Sequence, residues 1–114
     1  MPYFSIETNQ ALDDTAITAL AKRASAFIAE LLGKPEAYVM ISLEPKTAMT
    51  FGAADDPAAF VRLKSIGLPR ERCGELSQAI CAFVERELSV PKDRVFIDFK
   101  DLERSLFGWN GKTF

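Results

Sequence analysis

A shift of 56 positions lays the second half of this chain over the first. It brings Pro35-Glu36-Ala37-Tyr38-Val39-Met40-Ile41-Ser42-Leu43-Glu44 onto Pro91-Lys92-Asp93-Arg94-Val95-Phe96-Ile97-Asp98-Phe99-Lys100, where Pro, Val and Ile coincide. The same shift sets Ala26-Phe27-Ile28 over Ala82-Phe83-Val84, Leu32 over Leu88 and Phe4 over Phe60. One offset that aligns three successive elements marks a duplicated unit. The chain reads as a single domain, 1–114, with an internal repeat of about 1–56 and 57–114.

Each half reads as strand, helix, strand. In the first helix Ile17, Leu20, Ala21, Ala24, Phe27, Ile28 and Leu31 keep the spacing of one helical face. Asp13 or Asp14 can cap its start, and Gly33 and Pro35 stop it. The second helix is expected to start near Pro69 and shows Leu76, Ile80, Phe83, Val84 and Leu88. Val39, Ile41 and Leu43 alternate onto one strand face, as do Val95, Ile97 and Phe99. A helix of this length can carry the chain back to a parallel strand. The expected fold is α/β of the α+β kind: a tandem βαβ pseudo-repeat, a four-stranded mixed sheet and two helices on one face. The other face would carry Tyr38, Met40, Ser42, Arg94, Phe96 and Asp98, a patch apolar enough to call for a partner surface and hence for self-association.

Composition removes several classes of function. With 14 Lys and Arg against 16 Asp and Glu, and no long run of either sign, nucleic-acid binding is not expected. No stretch approaches the roughly 20 apolar residues of a membrane span, and no charged start with an apolar core marks a signal peptide. The cytoplasm is the expected location, with secretion lacking a signal peptide as the alternative. Cys73 and Cys81 lie eight apart on one helix, about 12 Å at roughly 1.5 Å per residue. That is beyond the reach of about 7 Å for a disulfide, so both are expected to be free thiols. Two cysteines without histidine do not suggest zinc, and no metal or other cofactor is expected.

The absence of histidine also removes the usual proton carrier at neutral pH. Pro2 follows Met1, and cells commonly trim a methionine before a small residue. The product would begin with a secondary amine at one end of a strand. An α-amino group titrates at roughly 7.7–8.0, and burial or a nearby cation lowers that value into the range of a general base.

The start Pro2-Tyr3-Phe4 with Thr8-Asn9, then Gly33-Lys34-Pro35, Ala48-Met49-Thr50-Phe51-Gly52, Ser65-Ile66-Gly67, Asp93-Arg94-Val95-Phe96-Ile97 and Gly108-Trp109-Asn110-Gly111-Lys112-Thr113-Phe114 together resemble the macrophage migration inhibitory factor family. These six segments occur in family order and span essentially the whole chain. The resemblance implies a homotrimer with an active site between neighbouring subunits. It implies a cofactor-independent keto–enol tautomerase for phenylpyruvate-like substrates, which are small aromatic 2-keto acids, or for dopachrome-like ones. The catalytic proline of the family falls on Pro2, its substrate-binding lysine on Lys34, a further substrate contact on Ile66, and an asparagine position on Asp98.

Other positions complete the expected site. Ser65 and Ile66 end a strand, where backbone groups are free to meet a ligand, and Lys64 beside them either adds positive charge or is simply solvated. Lys34 either holds a substrate carboxylate or complements the end of its helix. Tyr38, Phe107 and Trp109, with Phe114, either floor a pocket for a ring or pack at an oligomer interface. Phe96 stands where animal members have tyrosine, and Asp98 replaces asparagine; this carboxylate would pair with Lys34 or the Pro2 amine. Weaker turnover than in animal relatives, or a shifted substrate range, is expected. Ala58-Ala59-Phe60-Val61 replaces the Cys-x-x-Cys of some members, which removes thiol–disulfide chemistry. A cytokine-like role, with a protein receptor as partner, is the competing reading; hydration or dehalogenation would call for arginines beside the proline.

Overall fold

The computed structural model describes residues 1–114. Six main elements run β1 (Tyr3–Thr8), α1 (Asp14–Leu32), β2 (Met40–Glu44), β3 (Ala59–Ile66), α2 (Cys73–Leu88) and β4 (Val95–Leu102). The sheet order is β2-β1-β3-β4. Within each half the strands are parallel, β1 with β2 and β3 with β4, while β1 and β3 meet antiparallel at the centre. The mixed four-stranded sheet expected from the repeat is therefore the one formed.

Both helices cover one face. Phe4 and Ile6 of β1, Val61 and Leu63 of β3, Leu20, Ala24 and Ile28 of α1, and Leu76, Ile80, Phe83 and Val84 of α2 form a continuous buried cluster. Val39, Ile41, Leu43, Ile97 and Phe99 pack on its edges. The helices also touch each other, with the Phe27 and Phe83 rings stacked at 4.4 Å and Arg23 held by Glu87 at 2.8 Å. Burial of this apolar area is the main drive for the fold.

Of the two candidate caps, Asp13 is the one used: its carboxylate accepts the Ala16 N–H at 2.8 Å. Gly33 ends α1 with φ 63°, a left-handed conformation that a side chain would strain. The pseudo-repeat reproduces this ending, since Ser89, 56 residues on, closes α2 at φ 57°. The short 3-10 turns Glu36–Tyr38 and Lys92–Arg94 then follow Pro35 and Pro91 in register.

Three expectations need adjustment. The helix α2 starts at Cys73, because the segment after Pro69 forms a separate 3-10 turn, Arg70–Arg72. Phe4 and Phe60 coincide at the 56-residue shift but face opposite sides of the sheet. The structural equivalents lie one residue further on, Phe4 with Val61 and Ile6 with Leu63. Lastly, the C-terminus forms an unanticipated hairpin, β5 (Gly108–Trp109) with β6 (Lys112–Thr113). Asn110 and Gly111 close it at φ 55° and 74°, the backbone that an Asn-Gly turn favours.

Candidate active site

Pro2 has no N–H to give a ladder, so it precedes β1 rather than joining it. Its carbonyl accepts the Met40 N–H at 3.0 Å, and its side chain is fully buried. This anchors the chain start beside β2. A cavity of about 400 Å³ opens there, walled by Met1, Pro2 and Tyr3 on one side and by Ala37, Val39 and Met40 on another. Its aromatic wall is built by the C-terminal hairpin. The Tyr38 ring meets Trp109 edge-on at 5.5 Å, Trp109 stacks on Phe114 at 5.8 Å, and Phe107 also stacks with Phe114 at 5.8 Å. The Phe114 N–H donates to the Phe107 carbonyl at 3.1 Å, which ties the chain end into the same cluster.

Lys34 reaches the site because of the helix end before it. The left-handed Gly33 turns the chain, the Lys34 N–H donates to the Ala29 carbonyl at 3.0 Å, and the side chain carries Nζ to 3.5 Å from the Ile66 carbonyl oxygen. That carbonyl also accepts the hydroxyl of buried Ser65 at 3.3 Å. Ile66 itself is buried at the end of β3. The environment of the chain start is thus apolar and positively charged. Burial first, then the charges of Lys34 and Arg104, hold the Met1 α-amino group below its ordinary range.

Pro2, Tyr38, Phe107 and Trp109 share the cavity, and Lys34, Ser65 and Ile66 form one hydrogen-bonded group whose ammonium acts on the chain start. Phe96 and Asp98 do not join them within a protomer. Both lie exposed on β4, with β3 between them and β1. The Phe96 ring packs on Phe51 at 4.6 Å, in a separate hollow with Met49 and Phe60. Asp98 stands opposite Arg62, which is itself paired with Glu7 at 2.6 Å. The expected pairing of Asp98 with Lys34 or with the chain start is therefore absent from the single chain.

The face of the sheet away from the helices is polarised. Strand register sets Met40, Tyr3, Lys64 and Lys100 in one row, Ser42, Ser5, Arg62 and Asp98 in the next, and Glu44, Glu7, Phe60 and Phe96 in the third. Cations thus sit at the cavity end and carboxylates at the far end. Met40 and Phe96 are 64% and 61% exposed, too much large apolar surface to leave bare, and the Ser5 hydroxyl is buried without a partner. Arg104 was missed by sequence reasoning. The available signal was its spacing of three before Phe107, since a 3-10 turn brings such residues together, and the Phe107 N–H indeed donates to the Arg104 carbonyl at 3.3 Å.

Comparison with known proteins identifies relatives of this chain and of its fold. The family model described as macrophage migration inhibitory factor (MIF) matches residues 1–114. The chain is 40% identical over 115 residues to the macrophage migration inhibitory factor homolog of Brugia malayi, covering 100% of this chain and 99% of that protein. It is 36% identical over 120 residues to the macrophage migration inhibitory factor of Xenopus tropicalis, with coverage of 100% and 99%. Among solved structures, the homologue from Prochlorococcus marinus superposes with a TM-score of 0.90 at 41% identity, covering 98% of each chain. The Toxoplasma gondii protein superposes with a TM-score of 0.87 at 34% identity, covering 98% and 99%.

Proposed function

The chain belongs to the macrophage migration inhibitory factor family, and on that footing we propose that it is a keto–enol tautomerase of small aromatic 2-keto acids of the phenylpyruvate kind, with dopachrome-like quinone acids as the alternative substrates, working as a homotrimer. Removal of Met1 turns the Pro2 nitrogen from an amide into a secondary amine on the cavity wall. In its neutral form that amine takes a proton from the carbon next to the substrate carbonyl. The C–H electron pair forms the new C=C bond, the carbonyl electrons move to oxygen, and protonation of that oxygen gives the enol; the reverse path returns the proton to carbon. Lys34 holds the substrate carboxylate and keeps the amine partly neutral at physiological pH. The ring lies against Tyr38, Phe107 and Trp109.

The carrying observation is the position of Pro2, buried in an aromatic cavity at a chain start where Lys34 adds positive charge. The bare sheet face supports association, in which Phe96 and Asp98, remote from Pro2 in their own chain, would serve a neighbouring protomer's cavity. Absorbance of the enol of phenylpyruvate, followed with protein whose mass shows Met1 removed, tests the proposal. Turnover that disappears in Pro2→Gly is the expected result; turnover unchanged in that variant would overturn it.

A further inference from the structure

The chain has more carboxylates than cations, yet its cations at the cavity end lack acidic partners. The ion pairs are made by Arg23, Arg62, Arg70 and Arg72, with none to Lys34, Lys64, Lys100 or Arg104. Lys64 lines the cavity itself, its ammonium 5.9 Å from the centre of the Tyr3 ring, and Lys100 lies beside it across the β3–β4 ladder. Arg104 sits in the turn that delivers Phe107 to the cavity wall, and its charge reaches the chain start, as Lys34's does. One ammonium suffices for the carboxylate of a simple 2-keto acid. Lys64 is the one charged side chain in the otherwise largely apolar lining, and with Lys34 and Arg104, whose charges reach the chain start from outside that lining, it provides for more than one negative charge.

We propose that Lys64 and Arg104 form a second anion-binding locus in this cavity, so that the preferred substrates carry a further acidic group in addition to the 2-keto carboxylate. The inference deepens the tautomerase reading and rests on it. Arg104 supplies a planar fork suited to a carboxylate, whereas Lys64 supplies a mobile point charge. Unpaired like charges around one cavity repel one another, and a bound dianion relieves that repulsion while the monoanion relieves it only in part.

The test compares phenylpyruvate with its para- and meta-carboxy derivatives, using protein that lacks Met1. A preference in kcat/KM of about three- to thirtyfold for at least one carboxy derivative is expected, the size that one or two partly exposed ion pairs supply. That preference should shrink at high salt and fall to about one in a Lys64→Met, Arg104→Met double variant. Equal handling of all three substrates by the unaltered protein, or a preference that survives in the double variant, overturns the inference. Calorimetry with terephthalate against benzoate separates the two claims. Tighter terephthalate binding that the double variant loses upholds the locus even where turnover is absent and the tautomerase reading fails; equal binding of the two acids counts against the locus.

Discussion

Replacing Lys34 by methionine removes a charge while keeping an apolar stem of similar length, and its effect can be worked out from the position of the ammonium. Nζ lies 3.5 Å from the Ile66 carbonyl, on a half-buried side chain whose charge reaches the chain start. A carboxylate about 4 Å from that charge gains roughly 4 kcal/mol at an effective dielectric of 20 and about 1 kcal/mol in bulk water. Partial exposure puts the contact between these limits, about 1–3 kcal/mol, or roughly 5- to 150-fold in kcat/KM. The carboxylate is unchanged by the reaction, so the contact is equally strong in ground and transition states, and the loss should appear in KM. A second effect follows from charge. Burial and then Lys34 and Arg104 depress the α-amino group at the chain start, and they act in the same direction on the freed Pro2 amine. The base must be neutral, and it is neutral above its pKa. Without Lys34 that pKa rises, so the acid limb of the rate profile moves to higher pH. Measuring kcat and KM for phenylpyruvate across pH, in Lys34→Met and in the charge-keeping Lys34→Arg, separates the two effects. Should KM on the plateau stay within twofold and the limb stay put in Lys34→Met, the ammonium serves only the helix end and the argument collapses.

Other consequences can be checked more briefly. Mass spectrometry of purified protein should give a chain lighter by one methionine residue; a sample that retains Met1 should be inactive, because an amide nitrogen cannot accept the proton. Ile28→Ala, at a site with no exposure in the core, should lower unfolding stability by about 2–5 kcal/mol in urea titrations. Sedimentation should report a trimer, and Phe96→Lys, at an exposed apolar position of the bare face away from the cavity, should shift it toward monomer without changing the far-ultraviolet spectrum. Of the two free thiols, Cys81 is pushed up by burial, so its thiolate fraction below that value is reduced, and thiol-reagent labelling near pH 8 should be slower at Cys81 than at Cys73.

The parts of the fold that could be read from sequence are those written in two places or in a strict period. Val39, Ile41 and Leu43 match Val95, Ile97 and Phe99 because both strands need the same alternating face against a helix. The repeat misled only at Phe4 and Phe60, where identity of residue type hid an opposite orientation, since one residue of slip in a strand reverses every side chain. The two-residue strands of the C-terminal hairpin have no period to detect, although Asn110-Gly111 announced the turn.

The site divides in the same way. Pro2 could be singled out from the residues themselves, as a proline after Met1 at the head of a strand in a chain without histidine, whereas Lys34 is named through the family resemblance, its position after Gly33 fitting a helix-end role equally well. Lys64 could be named beside Ser65 and Ile66, but not its neighbour Lys100, which strand register alone brings next to it, nor Arg104, which a turn of three residues links to Phe107. Asp98 is the instructive case. Its type and position suggested a partner for Lys34, yet the register sets it against Arg62 and leaves β3 between it and β1. A carboxylate there affects the Pro2 chemistry only if another protomer brings it within reach. A trimer-disrupting substitution on the bare face should therefore alter the pH profile as well as the oligomeric state, whereas a site complete within one chain would keep its profile when dissociated.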